Sequence, residues 1–336
     1  MGRIVNDEAW VVEDRSVQKY IFTVLNQMRA FLRLLITLTL LSNFTAKGQS
    51  LYSRAFGKPG DEPIIFLHGG PGSSAVYFEA TTAPKLADEG FYVIIYDRRG
   101  EGRSKDSTAR MNYEEFFEDL NTIYQKYHLS RAHLIGFSFG GLVTTLYAEK
   151  HPEKVKSIIL ASALVSQQAS YNTILQSVGR IYRDRNDTAN LAQIKTIREM
   201  DSNSLPYRTA VFAHASKNGF FSLPNPDLEA RQMYSTYPTD TLVARYVKNE
   251  RAVETLWKNE TRRNIDVTPV LQTLKNGKIP VYAIYGKQDG LYSKKQIADL
   301  SHIIGKPRLI YLDNCSHTCF VDQQAKFIGA LKAWLK

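Results

Sequence analysis

From residue 50 onward the chain repeats one pattern: a short, continuous apolar run, a turn, then a stretch with helical periodicity. The runs are Pro63-Ile-Ile-Phe-Leu67, Phe91–Tyr96, Ala132-His-Leu-Ile-Gly136, Val155–Leu160, Ile279–Tyr285 and Arg308–Leu312. A run that is apolar throughout, and not only at alternate positions, suits a strand buried on both faces. In residues 113–127 the positions Tyr113, Phe116, Phe117, Leu120, Ile123, Tyr124 and Tyr127 keep a 3.6-residue period instead. Leu142, Val143, Leu146 and Tyr147 do the same until His151-Pro152, where proline stops a helix. Alternating strands and helices predict an α/β fold, a mostly parallel central sheet flanked by helices.

The regularity breaks at 166–265. That stretch has helical patches, many Tyr, Phe, Arg and Asn residues, and a Leu223-Pro-Asn-Pro226 interruption, but no convincing buried strand. The strand pattern resumes after it. The expected organisation is therefore a core of residues 49–165 and 266–336, with 166–265 inserted after the sixth sheet strand as a helical cap.

Gly136-Phe-Ser138-Phe-Gly140, followed by Gly141, sits between an apolar strand and an amphipathic helix. A sharp strand-to-helix turn lifts the serine oxygen clear of the sheet and sets it at a helix N-terminus, where developing negative charge is favoured. Ser138 is thus the candidate nucleophile. His68-Gly69-Gly70-Pro71-Gly72 ends an earlier strand, and its glycines let backbone N–H groups approach a substrate. The expected oxyanion donors are the N–H groups of Gly70 and Phe139. His68 belongs to this turn and is read as a structural residue.

A serine hydroxyl needs a base to take its proton. Of the seven histidines, His317 in Asp313-Asn-Cys-Ser-His317 follows a late strand at the expected sheet end. Asp289, in Gly286-Lys-Gln-Asp289-Gly290, follows the preceding strand and is the candidate acid. The chain order Ser138, Asp289, His317 is the order of a nucleophile-elbow triad, with Asp289 fixing the imidazole tautomer. Cys315 and Cys319 flank His317. They supply too few ligands for zinc and would consume the base; they stay as thiols or pair as a disulfide. No metal site and no cofactor are expected.

These residues resemble the α/β-hydrolase superfamily, and within it the proline iminopeptidase-like branch. The resemblance rests on His68-Gly-Gly-Pro-Gly72, Tyr96-Asp-Arg-Arg-Gly-Glu-Gly-Arg-Ser104, Gly136-Phe-Ser-Phe-Gly-Gly141 and the Asp289/His317 ending. It implies that Asp97–Ser104 is a structural turn, and that the activity is an aminopeptidase favouring N-terminal proline or small residues. Such enzymes hold the substrate's free amine with cap carboxylates. Ala230-Arg231-Gln232-Met233 resembles an Ala-Arg-x-Glu segment of bacterial members, with Met233 in place of the acid; Glu229 and Glu254 are the substitute candidates. An esterase, lipase-like enzyme or lactonase with the same machinery is the first alternative. A non-catalytic binding protein on the same fold is the second. Serine at position 138 argues against the dehalogenase and epoxide hydrolase branches, which use aspartate there.

The N-terminus reads as an address. Met28-Arg-Ala-Phe-Leu-Arg, the apolar stretch Leu34–Leu41 and the small residues Ala46 and Gly48 form a signal-peptide pattern over 28–48, cleaved before Gln49. Residues 1–27 fit no part of that signal and are read as an extension ahead of a start at Met28. The expectation is a secreted or periplasmic protein, bound to a membrane only if the segment stays uncleaved. The formal net charge of +10 comes from scattered basic residues without a nucleic-acid motif, so a small molecule or short peptide is the expected partner.

Overall fold

The computed structural model describes residues 51–336, together with helical residues Thr23 and 25–28. The expected signal segment, 28–48, lies outside the described residues except for Met28. Among the described residues no helix is long and apolar enough to cross a membrane.

Seven strands form one sheet in the order β1-β3-β2-β4-β5-β6-β7. They are β1 (Ser53–Phe56), β2 (Glu62–Leu67), β3 (Phe91–Tyr96), β4 (Ala132–Phe137), β5 (Val155–Ala161), β6 (Val281–Gly286) and β7 (Leu309–Leu312). Only β1 runs antiparallel. It was not foreseen, because Ser-Arg-Ala-Phe is a short, half-exposed edge strand without an apolar run. The side-chain alternation of the central strands feeds two cores. Ile65, Leu67, Ile94 and Leu134 face one, and Ile64, Phe66, Val93 and Ile135 face the other.

The first core is covered by α2 (Tyr113–Lys126) and α3 (Phe139–Lys150). The second is covered by α1 (Val76–Asp88), where Phe78 stacks on Phe66 with ring centroids 3.8 Å apart. Local chemistry sets the start of α2. The Asn112 side chain accepts from the Glu115 N–H at 3.0 Å, while Glu115 reaches back to accept from the Met111 N–H at 2.6 Å.

The insertion follows β5, the fifth and not the sixth described strand. It comprises α4 (Gln167–Asp184), α5 (Thr188–Glu199), α6 (Leu205–Lys217), α7 (Leu228–Thr236) and α8 (Ala252–Asn259). Its two ends meet as a neck. Ser166 bridges Asp266, and Val267 N–H donates to Val165 O at 2.9 Å. The chain then continues through α9 (Thr268–Asn276), β6, α10 (Lys294–Ile304), β7, a short α11 (Cys319–Asp322) and α12 (Gln324–Leu335).

Candidate active site

The β4–α3 junction forces an unusual backbone on Ser138: φ 53°, ψ −119°. Such a conformation costs a non-glycine residue roughly 1–3 kcal/mol, so the surroundings must impose it. They do so by close approach. A Cβ at Gly140 would lie 2.3 Å from the Leu67 carbonyl oxygen, so only glycine lets α3 begin against the end of β2. The Ser138 carbonyl accepts from both Gly141 N–H and Leu164 N–H at 3.0 Å, which ties the turn to the chain leaving β5.

His317 and Asp289 come from the loops after β7 and β6. His317 Nδ1 lies 2.8 Å from Asp289 Oδ2, and both side chains are almost fully buried. The other carboxylate oxygen accepts from Leu291 N–H at 3.1 Å. A carboxylate at Nδ1 selects the tautomer with its proton there and leaves Nε2 as the basic nitrogen. The imidazole is boxed by rings, with Phe137 at 5.0 Å, Phe221 at 5.4 Å and Tyr292 at 6.3 Å. Phe137 is the residue before Ser138, so the base packs against the elbow. No hydrogen bond joins His317 to Ser138 here; such bonds are often loose until substrate is bound.

The Gly70 loop is aligned by a buried ion pair. Arg98 and Glu101 are completely buried, with Arg98 Nε 2.6 Å from Glu101 Oε2. Arg98 donates to the carbonyl oxygens of His68 and Gly69, each at 2.6 Å, and Glu101 Oε1 accepts from Gly72 N–H. His68 completes the clamp. Its Nε2 accepts from Arg98 N–H at 3.1 Å, and Nδ1–H donates to Gly69 O at 2.8 Å. Burial and the nearby guanidinium hold its pKa well below the usual histidine range, so it stays neutral. Pinning the Gly69 carbonyl turns the N–H on the other edge of that peptide, Gly70 N–H, the opposite way. Neither Gly70 N–H nor Phe139 N–H, at the start of α3, has an acceptor among the described residues.

Asp97 is also buried and organises the same turn, accepting from Ala75 N–H at 2.8 Å and from Arg103 Nε at 2.7 Å. The two cysteines are free, buried thiols. Burial pushes the Cys319 pKa up to about 12 and raises that of Cys315 further.

The insertion touches every one of these loops. Asn249 N–H donates to Gly72 O at 3.0 Å, and Asn249 Nδ2 to Gly100 O at 2.7 Å. Gly290 N–H donates to Phe220 O at 3.1 Å, in a contact so close that a Cβ at Gly290 would strike the Phe220 ring. Glu260 Oε2 accepts from Tyr113 N–H at 3.0 Å. Glu229 and Glu254, by contrast, are solvent-exposed in the first turns of α7 and α8, and their carboxylates have no hydrogen-bonding or ionic partner among the described residues. Sequence reasoning missed the Arg98–Glu101 clamp, although the Asp97–Ser104 turn displays its charges. It also missed Phe221, which carries no local signature.

An elbow serine, a carboxylate-held imidazole and two open N–H groups at the carboxyl ends of parallel strands define a hydrolase built on an α/β sheet. The chain belongs to the α/β-hydrolase family, whose fold model matches residues 62–324. Within it the chain falls in the proline iminopeptidase-like branch. A proline iminopeptidase of Lactobacillus acidophilus is 27% identical over 299 residues, covering 86% of this chain and 95% of that protein. Solved structures share the fold: a Mycobacterium smegmatis proline iminopeptidase (TM-score 0.59, 20% identity, 85% of this chain and 94% of that one) and an Exiguobacterium antarcticum esterase (TM-score 0.54, 19% identity, 85% and 95%).

Proposed function

We propose that the protein is a serine hydrolase working through an acyl-enzyme on small amide or ester substrates, with an N-terminal aminopeptidase of the proline iminopeptidase type as its leading activity. The observation that carries this reading is the buried Asp289–His317 pair packed against the strained Ser138 elbow. Ser138 Oγ attacks the substrate carbonyl and passes its proton to His317 Nε2. The resulting oxyanion sits on the N–H groups of Gly70 and Phe139. Collapse breaks the bond to the leaving group, which takes the proton from His317. Water, deprotonated by the same imidazole, then hydrolyses the acyl-enzyme and regenerates Ser138.

The relatives' names support the aminopeptidase reading. One observation favours the ester alternative: Glu229 and Glu254 stand in solvent, and an exposed carboxylate gains little from an α-ammonium. Parallel turnover of prolyl-4-nitroanilide and short-chain 4-nitrophenyl esters tests the two. Faster turnover of the anilide, lost when its amine is acetylated, supports the peptidase. Turnover of esters alone, with no anilide cleavage, replaces it by the esterase. Export with cleavage before Gln49 belongs to the same proposal. N-terminal sequencing of the protein from its native host checks it, and a mature chain retaining Trp10 contradicts it.

A further inference from the structure

The insertion closes over the Phe139 ring and leaves a narrow crevice there, walled also by Tyr113, Gln167 and Trp257. Four charged side chains line it: Arg208, Arg262, Arg263 and Glu260. Glu260 is already engaged, by Arg262 Nε at 3.0 Å and Nη2 at 3.2 Å and by Tyr113 N–H. Arg263 donates to the main-chain carbonyls of Glu260 and Trp257 and lies 4.5 Å over the Trp257 ring. Arg208, on α6, is half-buried and has no carboxylate partner among the described residues. Its neighbours are the Phe212 ring at 5.1 Å and the Tyr171 hydroxyl. One anion among three cations leaves the lining positive. In the same wall Asn264 Oδ1 is buried without a hydrogen-bond partner.

A half-buried guanidinium without a counter-ion remains open to an anion, and its planar fork matches a carboxylate. The crevice also adjoins the chemistry. Phe139 is both its wall and the residue after Ser138, and Phe212, on the same helix as Arg208, stacks on Phe221 in the turn beyond that helix (6.4 Å), which packs against the ring of His317. We propose that this crevice binds a carboxylate carried by the substrate, with Arg208 as the specificity residue and Asn264 taking an adjacent N–H. The proposal rests on Ser138 as nucleophile. The carboxylate has two sources, the free C-terminus of a dipeptide on the leaving side or the second carboxylate of a dicarboxylic half-ester on the acyl side.

Two matched pairs separate them on the full chain: prolyl-glycine against prolyl-glycinamide, and mono-4-nitrophenyl glutarate against 4-nitrophenyl butyrate. The carboxylate-bearing member of one pair is preferred in kcat/KM by about 10- to 100-fold, the scale of a charge-assisted hydrogen bond. Arg208→Gln collapses that ratio, and Arg208→Lys restores part of it. Free glutarate inhibits turnover of the neutral ester by the unaltered protein competitively, a readout that needs no variant. Equal rates within both pairs, or a preference that survives Arg208→Gln, overturns the proposal. If Ser138 proves not to be the nucleophile, the site is read by thermal shift: glutarate raises the unfolding midpoint of the unaltered protein more than that of Arg208→Lys. An equal shift refutes it.

Discussion

The loops at the carboxyl ends of the strands and the insertion above them treat charge in opposite ways. In the loops every buried charge has an assigned partner: Arg98 with Glu101, Asp97 with Arg103, Asp289 with His317. In the insertion the nominated carboxylates Glu229 and Glu254 stand in solvent, while Arg208 is half-buried and has no carboxylate partner among the described residues. A closed set of partners holds N–H groups and a base in fixed positions, which is what a reaction common to many substrates requires. An unbalanced set is completed only by what binds. With the proposed function, the difference would put chemistry in the core and selection in the insertion.

The largest expected effects fall on the core. Asp289→Asn leaves the fold intact but favours the wrong imidazole tautomer, and lowers kcat by about 10⁴-fold. Steady-state turnover of a neutral ester reads it, and a loss below tenfold would contradict the assignment.

Next comes the clamp. Arg98→Gln leaves a buried carboxylate unpaired, which costs about 3–5 kcal/mol of stability and frees the Gly69 carbonyl. The double variant Arg98→Met with Glu101→Leu removes both charges and recovers much of that stability. It should still lose about 10²- to 10³-fold in kcat, the scale of one oxyanion donor. Urea unfolding set beside kcat separates the two roles; a stable double variant with full activity would make the pair purely structural.

Smaller effects are expected at the caps and in the insertion. Replacing Asn112 by Ala removes the α2 cap and costs about 1 kcal/mol in unfolding free energy. The buried, high-pKa thiols of Cys315 and Cys319 should resist iodoacetamide in the native protein at neutral pH, and mass spectrometry showing rapid alkylation would refute their burial. Glu229→Gln and Glu254→Gln should each change kcat/KM by less than about twofold on amine-bearing substrates, as suits exposed charges. A large loss at either would bring the insertion's acids back as amine anchors.

How much of this could be read from sequence follows the same division. Buried parallel strands announce themselves as apolar runs, so β2 to β7 were foreseen, whereas β1 was not, because its half-exposed pairing leaves no pattern in Ser-Arg-Ala-Phe. Ser138, Asp289 and His317 could be nominated because each sits where a strand ends, and strand ends are visible. Phe221 and Arg208 could not. Phe221, in the turn after α6, packs on His317, and Arg208 lines the neighbouring crevice; both are placed by packing inside the insertion, where a periodicity shows which residues are buried but not what they face. The N–H directions in the Gly70 loop were equally hidden, since they depend on a guanidinium that arrives from the turn after β3.

The proposed mechanism depends first on Ser138 as the nucleophile. Treating the full chain with a fluorophosphonate and mapping the adduct by mass spectrometry tests it directly. A single phosphonyl group on Ser138, absent from Ser138→Ala, which keeps its fold but loses turnover, is the predicted result. Equal labelling of the Ser138→Ala protein, or an adduct on another residue with Ser138 unmodified, would contradict it.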